Sequence, residues 1–445
     1  MKKFLTVLLS LCLIFTGFLF VGCTNNEIVL NGGPAFEDKI YGNGGMVVTK
    51  GDYVYFTDSY IKSSSLGSST TVSVKDTTEA GLYRAKMTTE IVDNVETAVL
   101  TDVELMVKKV VGFENSGLYI FKDKIYFASP STISDKTGVR YDLLTFFRCN
   151  LDGSNVEKFY QTEEFSSGKF SMTMIDETVY LMVYTGSDVI VVSENGTAKT
   201  VATEVTSVIF PSRTTVINNE ENPISSECFV YYTKDKEQEG SIETGNILYK
   251  AEIKTGSETE LLNEERVSVT LKDLSAGNLL YVRNTIIGST SVYGYYKNSL
   301  ANTNFLNGET KLVSLNSSST KIIALGTHNG TNLGYVEVTA SNKVVVRNED
   351  GTGKVVLEPS SAPTIICCRN GYLYYRLSST LYRISLIEED AKEEKLNDKV
   401  TPKTEYFDID EDYFYFFAEN KEKSNKLSIY RVDLDAETKK PTLIK

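Results

Sequence analysis

The chain alternates apolar and polar residues in short segments bounded by turn residues, and the same arrangement recurs along its length. At one place an Asn370-Gly371 pair precedes Tyr372-Leu373-Tyr374-Tyr375, and after Ser378-Ser379-Thr380 comes Leu381-Tyr382-Arg383-Ile384. An Asn-Gly pair supplies the positive φ of a tight hairpin, and alternating large residues are typical of strands. The stretch therefore predicts one β-hairpin of a larger sheet.

Eight triplets that end in tyrosine mark the repeat. They are Tyr53-Val54-Tyr55, Lys124-Ile125-Tyr126, Thr178-Val179-Tyr180, Phe229-Val230-Tyr231, Leu279-Leu280-Tyr281, Leu333-Gly334-Tyr335, Tyr372-Leu373-Tyr374 and Tyr413-Phe414-Tyr415. Successive triplets lie 39 to 71 residues apart. This period is expected when each repeat is one propeller blade with loop insertions.

Further strands surround each triplet. A following strand often ends in arginine, as at Arg84, Arg148, Arg347, Arg383 and Arg431. A turn such as Asp152-Gly153 and a fourth strand such as Lys354-Val355-Val356-Leu357 come next, and an innermost strand precedes the triplet. For the second unit we assign that strand to Val103, Leu105 and Val107, and for the third to Phe170, Met172 and Met174. Residues 387–401 are predicted to be a loop between blades.

Four strands in each of eight units predict an all-β chain that forms a single β-propeller of four-stranded antiparallel blades. Seven or six blades are the alternatives, because the fifth and sixth units are diffuse. The triplet tyrosines are predicted to pack between blades, and the recurrent arginines to pair with acids of the blades.

The run Phe147-Arg148-Cys149-Asn150-Leu151-Asp152-Gly153-Ser154-Asn155, together with the Tyr-x-Tyr triplets, resembles the YWTD-type repeats of low-density-lipoprotein-receptor propellers and the related TolB-like repeats. The resemblance covers roughly residues 45–445, although the Trp-Thr-Asp part of the signature is missing and those receptor propellers have six blades. It implies the propeller fold and no particular activity. Bacterial lipoproteins that carry such propellers are the proteins to which the chain is most similar.

The N-terminus has the features of an export signal. Met1-Lys2-Lys3 precedes an apolar run from Phe4 to Val21, and Gly22-Cys23 follows it in a pattern that resembles a bacterial lipoprotein signal. We predict a signal peptide over 1–22, a lipid-anchored tether over 23–44 that begins at lipidated Cys23, and the propeller over 45–445. An uncleaved membrane anchor is the alternative. Both readings place the propeller on the outer side of the cytoplasmic membrane, in the cell envelope.

Composition excludes some classes of function. A net charge of −13 without a basic stripe excludes a nucleic-acid partner. Cys149, Cys228, Cys367 and Cys368 lie in predicted strands, and we expect buried thiols there rather than disulfides. No metal site and no cofactor are predicted, because the only histidine is His328 and no Cys-x-x-Cys spacing occurs.

We expect a binding or scaffold module for a protein or glycan partner at the cell surface, and not an enzyme. The long insertions at Ser59–Gly81, Ser129–Asp142, Lys234–Gly245 and Arg283–Gly294 fall on one face of the predicted propeller. Tyr60, Tyr141 and Tyr293 are the candidate contacts there. The alternative is a propeller enzyme that acts on glycans or peptides with carboxylate chemistry in the central funnel. The predicted innermost strands are mostly apolar, which favours binding.

Overall fold

A computed structural model describes residues 40–444 apart from short gaps, the longest of which span 62–80, 212–227 and 237–244. These residues form eight blades, each a four-stranded antiparallel sheet whose strands follow one another in the chain. The predicted all-β propeller of eight blades is confirmed. The one helix among the described residues is the single turn Phe305–Gly308. None of the helices in this part of the chain has the length and apolar character that crossing a membrane requires.

The strands of each blade run outward from the central axis. Blade one comprises Val47–Lys50, Tyr53–Thr57, Gly81–Val92 and Val95–Lys108, blade two Tyr119–Phe121, Lys124–Pro130, Leu144–Asn150 and Glu157–Gln161, blade three Lys169–Ile175, Thr178–Tyr184, Val189–Ser193 and Ala198–Ala202, and blade four Val205–Ile209, Phe229–Asp235, Asn246–Glu252 and Glu258–Leu262. Blade five comprises Val267–Ser275, Asn278–Ile287, Thr290–Ser299 and Thr310–Leu315, blade six Lys321–Ala324, Tyr335–Val338, Val344–Arg347 and Gly353–Leu357, blade seven Thr364–Arg369, Tyr372–Leu377, Thr380–Ser385 and Glu394–Lys395, and blade eight Pro402–Ile409, Tyr413–Asn420, Lys426–Asp433 and Pro441–Leu443.

Minor strands lie outside this pattern. Ile40–Tyr41 pairs with the first strand of blade one, Tyr60–Ile61 pairs in parallel with Gly112–Phe113, Ser134–Asp135 pairs with Gly138–Val139, and Thr327–His328 pairs with Thr331–Asn332.

Two strand assignments made from the sequence are wrong. Val103, Leu105 and Val107 belong to the outermost strand of blade one, and the innermost strand of blade two is Tyr119–Phe121. Alternation alone does not distinguish an inner strand from an exposed outer one, since both present one apolar face. Residues 387–401 include Glu394–Lys395, the fourth strand of blade seven, and Leu396 beside it is fully buried.

The insertion Arg283–Gly294 also differs from expectation. It is a continuation of the second and third strands of blade five, and only Gly288 and Ser289 connect them. The other insertions lie largely outside the described residues.

The recurrent tyrosines and arginines build the contacts between blades. All the triplet tyrosines are buried except Tyr180, which is partly buried. Arginines at the end of strand three pair with glutamates of their own blade, as Arg84 Nε does with Glu104 at 2.6 Å and Arg347 Nε with Glu337 at 2.6 Å. Both predicted roles are confirmed for these residues, and one arginine departs from the pattern, as described below.

The four cysteines of the described part are unpaired, and Cys149 and Cys368 are buried. The expectation of buried thiols thus holds for these two, while Cys228 and Cys367 are partly exposed.

No strand is exchanged where the ring closes. Blades one and eight are each built from their own end of the chain and meet through a shared apolar cluster that includes Phe56, Tyr415 and Phe417. Side-chain burial therefore holds this junction together, whereas the chain itself connects every other pair of blades.

Candidate functional site

The predicted binding tyrosines are not brought together in the described structure. Tyr141 and the side chain of Tyr60 lie outside the described residues. Tyr293 lies on the third strand of blade five, where it packs partly buried against the cluster of Leu280, Val282 and Tyr295. A ligand surface formed by Tyr60, Tyr141 and Tyr293 stays a prediction.

The innermost strand of blade five carries an acid that the sequence reading missed. Its register with the second strand shifts between Leu271 and Asp273, so that Lys272 is the extra residue of a β-bulge. A bulge changes the direction in which the following side chains point. Asp273 consequently lies opposite Leu280, on the face of blade five that packs toward blade six.

The carboxyl group of Asp273 is enclosed, although the residue as a whole keeps some exposed surface. Burial raises the pKa of this carboxyl from 3.8 to about 6, against the opposing effect of a hydrogen bond that the Leu274 N–H donates to Asp273 Oδ1 at 2.8 Å. Loss of hydration disfavours the charged form of an acid, which is the physical cause of the rise. Burial also lowers the pKa of the neighbouring Lys272.

The phenol of Tyr295 is the closest functional companion of this acid. Tyr295 is completely buried, and its hydroxyl has no hydrogen-bond partner. Burial raises the pKa of Tyr295, and the negative charge of Asp273 raises it further, which places the carboxylate within electrostatic reach. The Tyr335 ring of blade six packs edge-on against Tyr295, with 5.4 Å between the ring centroids.

This arrangement can perform acid–base chemistry. A carboxyl with a pKa of about 6 changes its protonation state near neutral pH and can both accept and return a proton. A neutral phenol with a free O–H can donate a hydrogen bond. In the described part of the chain, no group of three or more His, Cys, Asp or Glu side chains is placed to hold a metal ion.

A sequence signal for the site did exist. Lys272-Asp273 interrupts the alternation of Val267, Val269 and Leu271 on a strand that is otherwise apolar toward its neighbours. The interruption was read as the end of the strand, because a bulge cannot be told from a strand end by periodicity.

The inner edges of blades one and two show how the axis region binds an extended chain. Ile40–Tyr41 adds an antiparallel strand to the free edge of Val47–Lys50. Asn43 then follows blade two, where its side chain donates to the Ile120 carbonyl at 3.1 Å and accepts from the Ile120 N–H at 2.6 Å. A segment of the protein's own chain therefore occupies these edges through backbone and amide hydrogen bonds.

Comparison with known proteins supports the fold alone. No protein-family model matches the chain, and no curated protein matches it. Among solved structures, the chain is similar to a mutant puromycin hydrolase complexed with PGG, with 9% identity over 74% of this chain and 53% of that chain and a TM-score of 0.47. A puromycin-hydrolyzing peptidase from Mycobacterium tuberculosis matches with 8% identity over 74% of this chain and 52% of that chain, at a TM-score of 0.45. The β-propeller domain of the Trilobed protease from Pyrococcus furiosus matches with 9% identity over 88% and 92% of the two chains, at a TM-score of 0.37.

The chain spans about half the length of the first two of these peptidases. The prediction that the protein is not an enzyme is wrong by this comparison, because the solved structures that share its fold belong to peptidases. The propeller part of the family resemblance is confirmed, whereas the YWTD-type and TolB-like assignment and the lipoprotein assignment receive no support from the comparisons.

Proposed function

We propose that the protein is a β-propeller enzyme that acts on peptides, with Asp273 as its acid–base residue on the innermost strand of blade five. One observation carries the proposal: the enclosed carboxyl of Asp273, with its pKa raised to about 6, lies near a buried Tyr295 hydroxyl that has no partner. Buried groups without partners are costly to stability, and such costs are typical of functional sites.

The choice of peptides over glycans rests on the edges of the inner strands. In each blade the first strand pairs on one side only, so its other edge offers backbone donors and acceptors toward the axis. An extended peptide can add to such an edge as a further strand. Ile40–Tyr41 binds blade one in this way within the protein itself. A glycan has no backbone amides with which to form that pairing.

The chemistry would proceed by hydrolysis. The ionised Asp273 takes a proton from a water molecule as its oxygen bonds to the carbonyl carbon of the peptide. The Tyr295 hydroxyl donates a hydrogen bond to the oxygen that becomes negative. The C–N bond then breaks as the protonated Asp273 returns its proton to the leaving amine, which regenerates the carboxylate and yields an acid and an amine.

The test is cleavage of a peptide mixture of defined sequences by the purified protein, followed by mass spectrometry. Asp273→Asn is expected to lower kcat/KM by roughly 10²–10⁴-fold, and the acid limb of the wild-type pH profile is expected near the Asp273 pKa of about 6. Tyr295→Phe removes only the phenolic hydroxyl and is expected to lower kcat more than it raises KM.

Asp176→Asn is the matched control, because this acid forms an exposed ion pair with Lys254 in the turn of another blade. Cleavage that Asp273→Asn leaves unchanged, or an absence of cleavage by the wild-type protein, would rule out the proposed activity.

A further inference from the structure

The arginines that end strand three form a recurring arrangement in three blades. Arg84, Arg148 and Arg383 each lie directly opposite a glutamate on strand four, namely Glu104, Glu157 and Glu394. Each arginine hydrogen-bonds that glutamate, with Nε–Oε distances of 2.6, 2.5 and 3.1 Å in the same order.

The same arginines contact two further groups. Each donates to a carbonyl in the outer turn of the next blade, those of Leu151, Glu194 and Leu434. The guanidinium of Arg383 also stacks 4.3 Å above the Tyr372 ring, and that of Arg84 lies 4.8 Å from the Tyr53 ring. A complete site thus has an arginine, an aromatic ring, a carbonyl and a carboxylate.

Blade eight retains all of these groups except the carboxylate. Arg431 lies 4.4 Å above the Tyr413 ring, and its Nη2 donates to the Ala98 carbonyl of blade one at 2.7 Å. The residue opposite Arg431 on strand four is Thr442, which has no charge. Arg431 is 6% exposed, and its Nη1 has no hydrogen-bond partner.

The missing carboxylate position is open to solvent. In the sister blades the glutamate side chains are 53% exposed for Glu104 and 49% for Glu157, so the acid approaches the arginine from the rim. Thr442 is likewise exposed. An external anion can therefore reach the same side of Arg431 that a glutamate occupies elsewhere.

We propose that Arg431, Tyr413, Thr442 and the Ala98 carbonyl form a binding site for a carboxylate, here termed the blade-eight arginine site. A buried guanidinium without a counter-ion is unfavourable, and planar carboxylates match its paired N–H donors. The bound carboxylate takes the place of the glutamate of the sister blades and strengthens the junction at which the ring closes. The carboxylate comes from a small acid or from the end of a polypeptide.

The experiment is thermal unfolding of the purified protein in increasing sodium acetate, with sodium chloride at equal ionic strength as the reference. We expect a saturable rise in Tm of about 2 °C or more over chloride. Two further arms use a short peptide with a free C-terminus and the same peptide with an amidated C-terminus. A response to the free peptide at concentrations where acetate has no effect identifies a polypeptide as the source.

Thr442→Glu is the informative variant, because it supplies the missing acid within the chain. It is expected to raise Tm in chloride and to abolish the response to acetate. Arg431→Met should lose the response as well, whereas Arg383→Met, which removes a paired arginine, should be less stable but keep it.

No rise of the wild-type protein in either acetate or the free peptide would overturn the site. A carboxylate response that Thr442→Glu retains in full would do the same, because the ligand would then bind elsewhere.

Discussion

The carboxylate of Asp408 accepts a hydrogen bond from the Val47 backbone N–H at 3.0 Å, across 361 residues of sequence. Its second oxygen accepts the Ile409 N–H at 2.8 Å, and the side chain is almost completely buried. Val47 belongs to the innermost strand of blade one and Asp408 to that of blade eight. The contact therefore joins the two ends of the ring near its axis.

We expect Asp408→Ala to destabilise the protein by roughly 2–4 kcal/mol, because it leaves two backbone N–H groups without their acceptor. Urea unfolding followed by circular dichroism measures the change. Asp433→Ala is the matched control, since Asp433 also accepts two backbone N–H groups, those of Asp435 and Ala436, but in a surface turn. The control should lose about 1 kcal/mol or less. Equal losses in both variants would show that the position at the ring junction has no special weight.

Asp273→Asn is expected to stabilise the folded protein at pH 7.5. The pKa of this carboxyl is raised on folding from 3.8 to about 6, so the folded state favours the protonated form. Its stabilising contribution is present below the unfolded pKa and is lost as pH rises through the folded pKa. Asparagine cannot ionise, and the variant should gain up to about 3 kcal/mol at pH 7.5 and under about 1 kcal/mol at pH 4.

Urea unfolding at the two pH values measures this gain, with Asp176→Asn as the control. A variant that is less stable than wild type at pH 7.5 would indicate that Asp273 serves the fold. A variant that is more stable and cleaves no peptide would join the two observations, because functional acids are commonly held at a cost to stability.

The thiols of Cys149 and Cys368 are expected to resist alkylation in the folded protein. Burial raises the pKa of Cys149 to about 12 and also raises the pKa of Cys368, so neither forms the reactive thiolate. Iodoacetamide labelling and peptide mass spectrometry, with and without guanidinium chloride, test this. Both sites should be labelled only after unfolding. Rapid labelling of Cys149 under native conditions would contradict the burial described for blade two.

Cys23→Ser is expected to abolish membrane attachment if the N-terminal pattern is a lipoprotein signal. Expression in bacteria with radiolabelled palmitate, followed by fractionation, should show label in the wild-type protein and none in the variant. Val21→Ile, which keeps an aliphatic residue before Gly22, is the control and should be labelled normally. Unlabelled wild-type protein that still fractionates with membranes would favour the uncleaved anchor.

The repeat by itself determined the architecture. The triplet tyrosines, the strand-three arginines and the turn residues are local features that recur in each blade, and local features are what sequence patterns report. The number of blades, the position of strands two and three, and the burial of residues such as Tyr231 and Tyr281 all followed from them. The strands of blade one and the end of blade seven were misread because an edge strand has no pattern of its own.

Only the tertiary structure decided which residues leave the pattern. Asp273 is exceptional because a bulge turns it toward blade six and encloses its carboxyl, and Arg431 because Thr442 lies where sister blades place a glutamate. Both depend on which side chain lies across from which, and a one-residue shift in register changes that without changing the composition of the strand. The sequence thus determined the repeated frame, and the packing of one strand on the next determined where that frame carries unsatisfied chemistry.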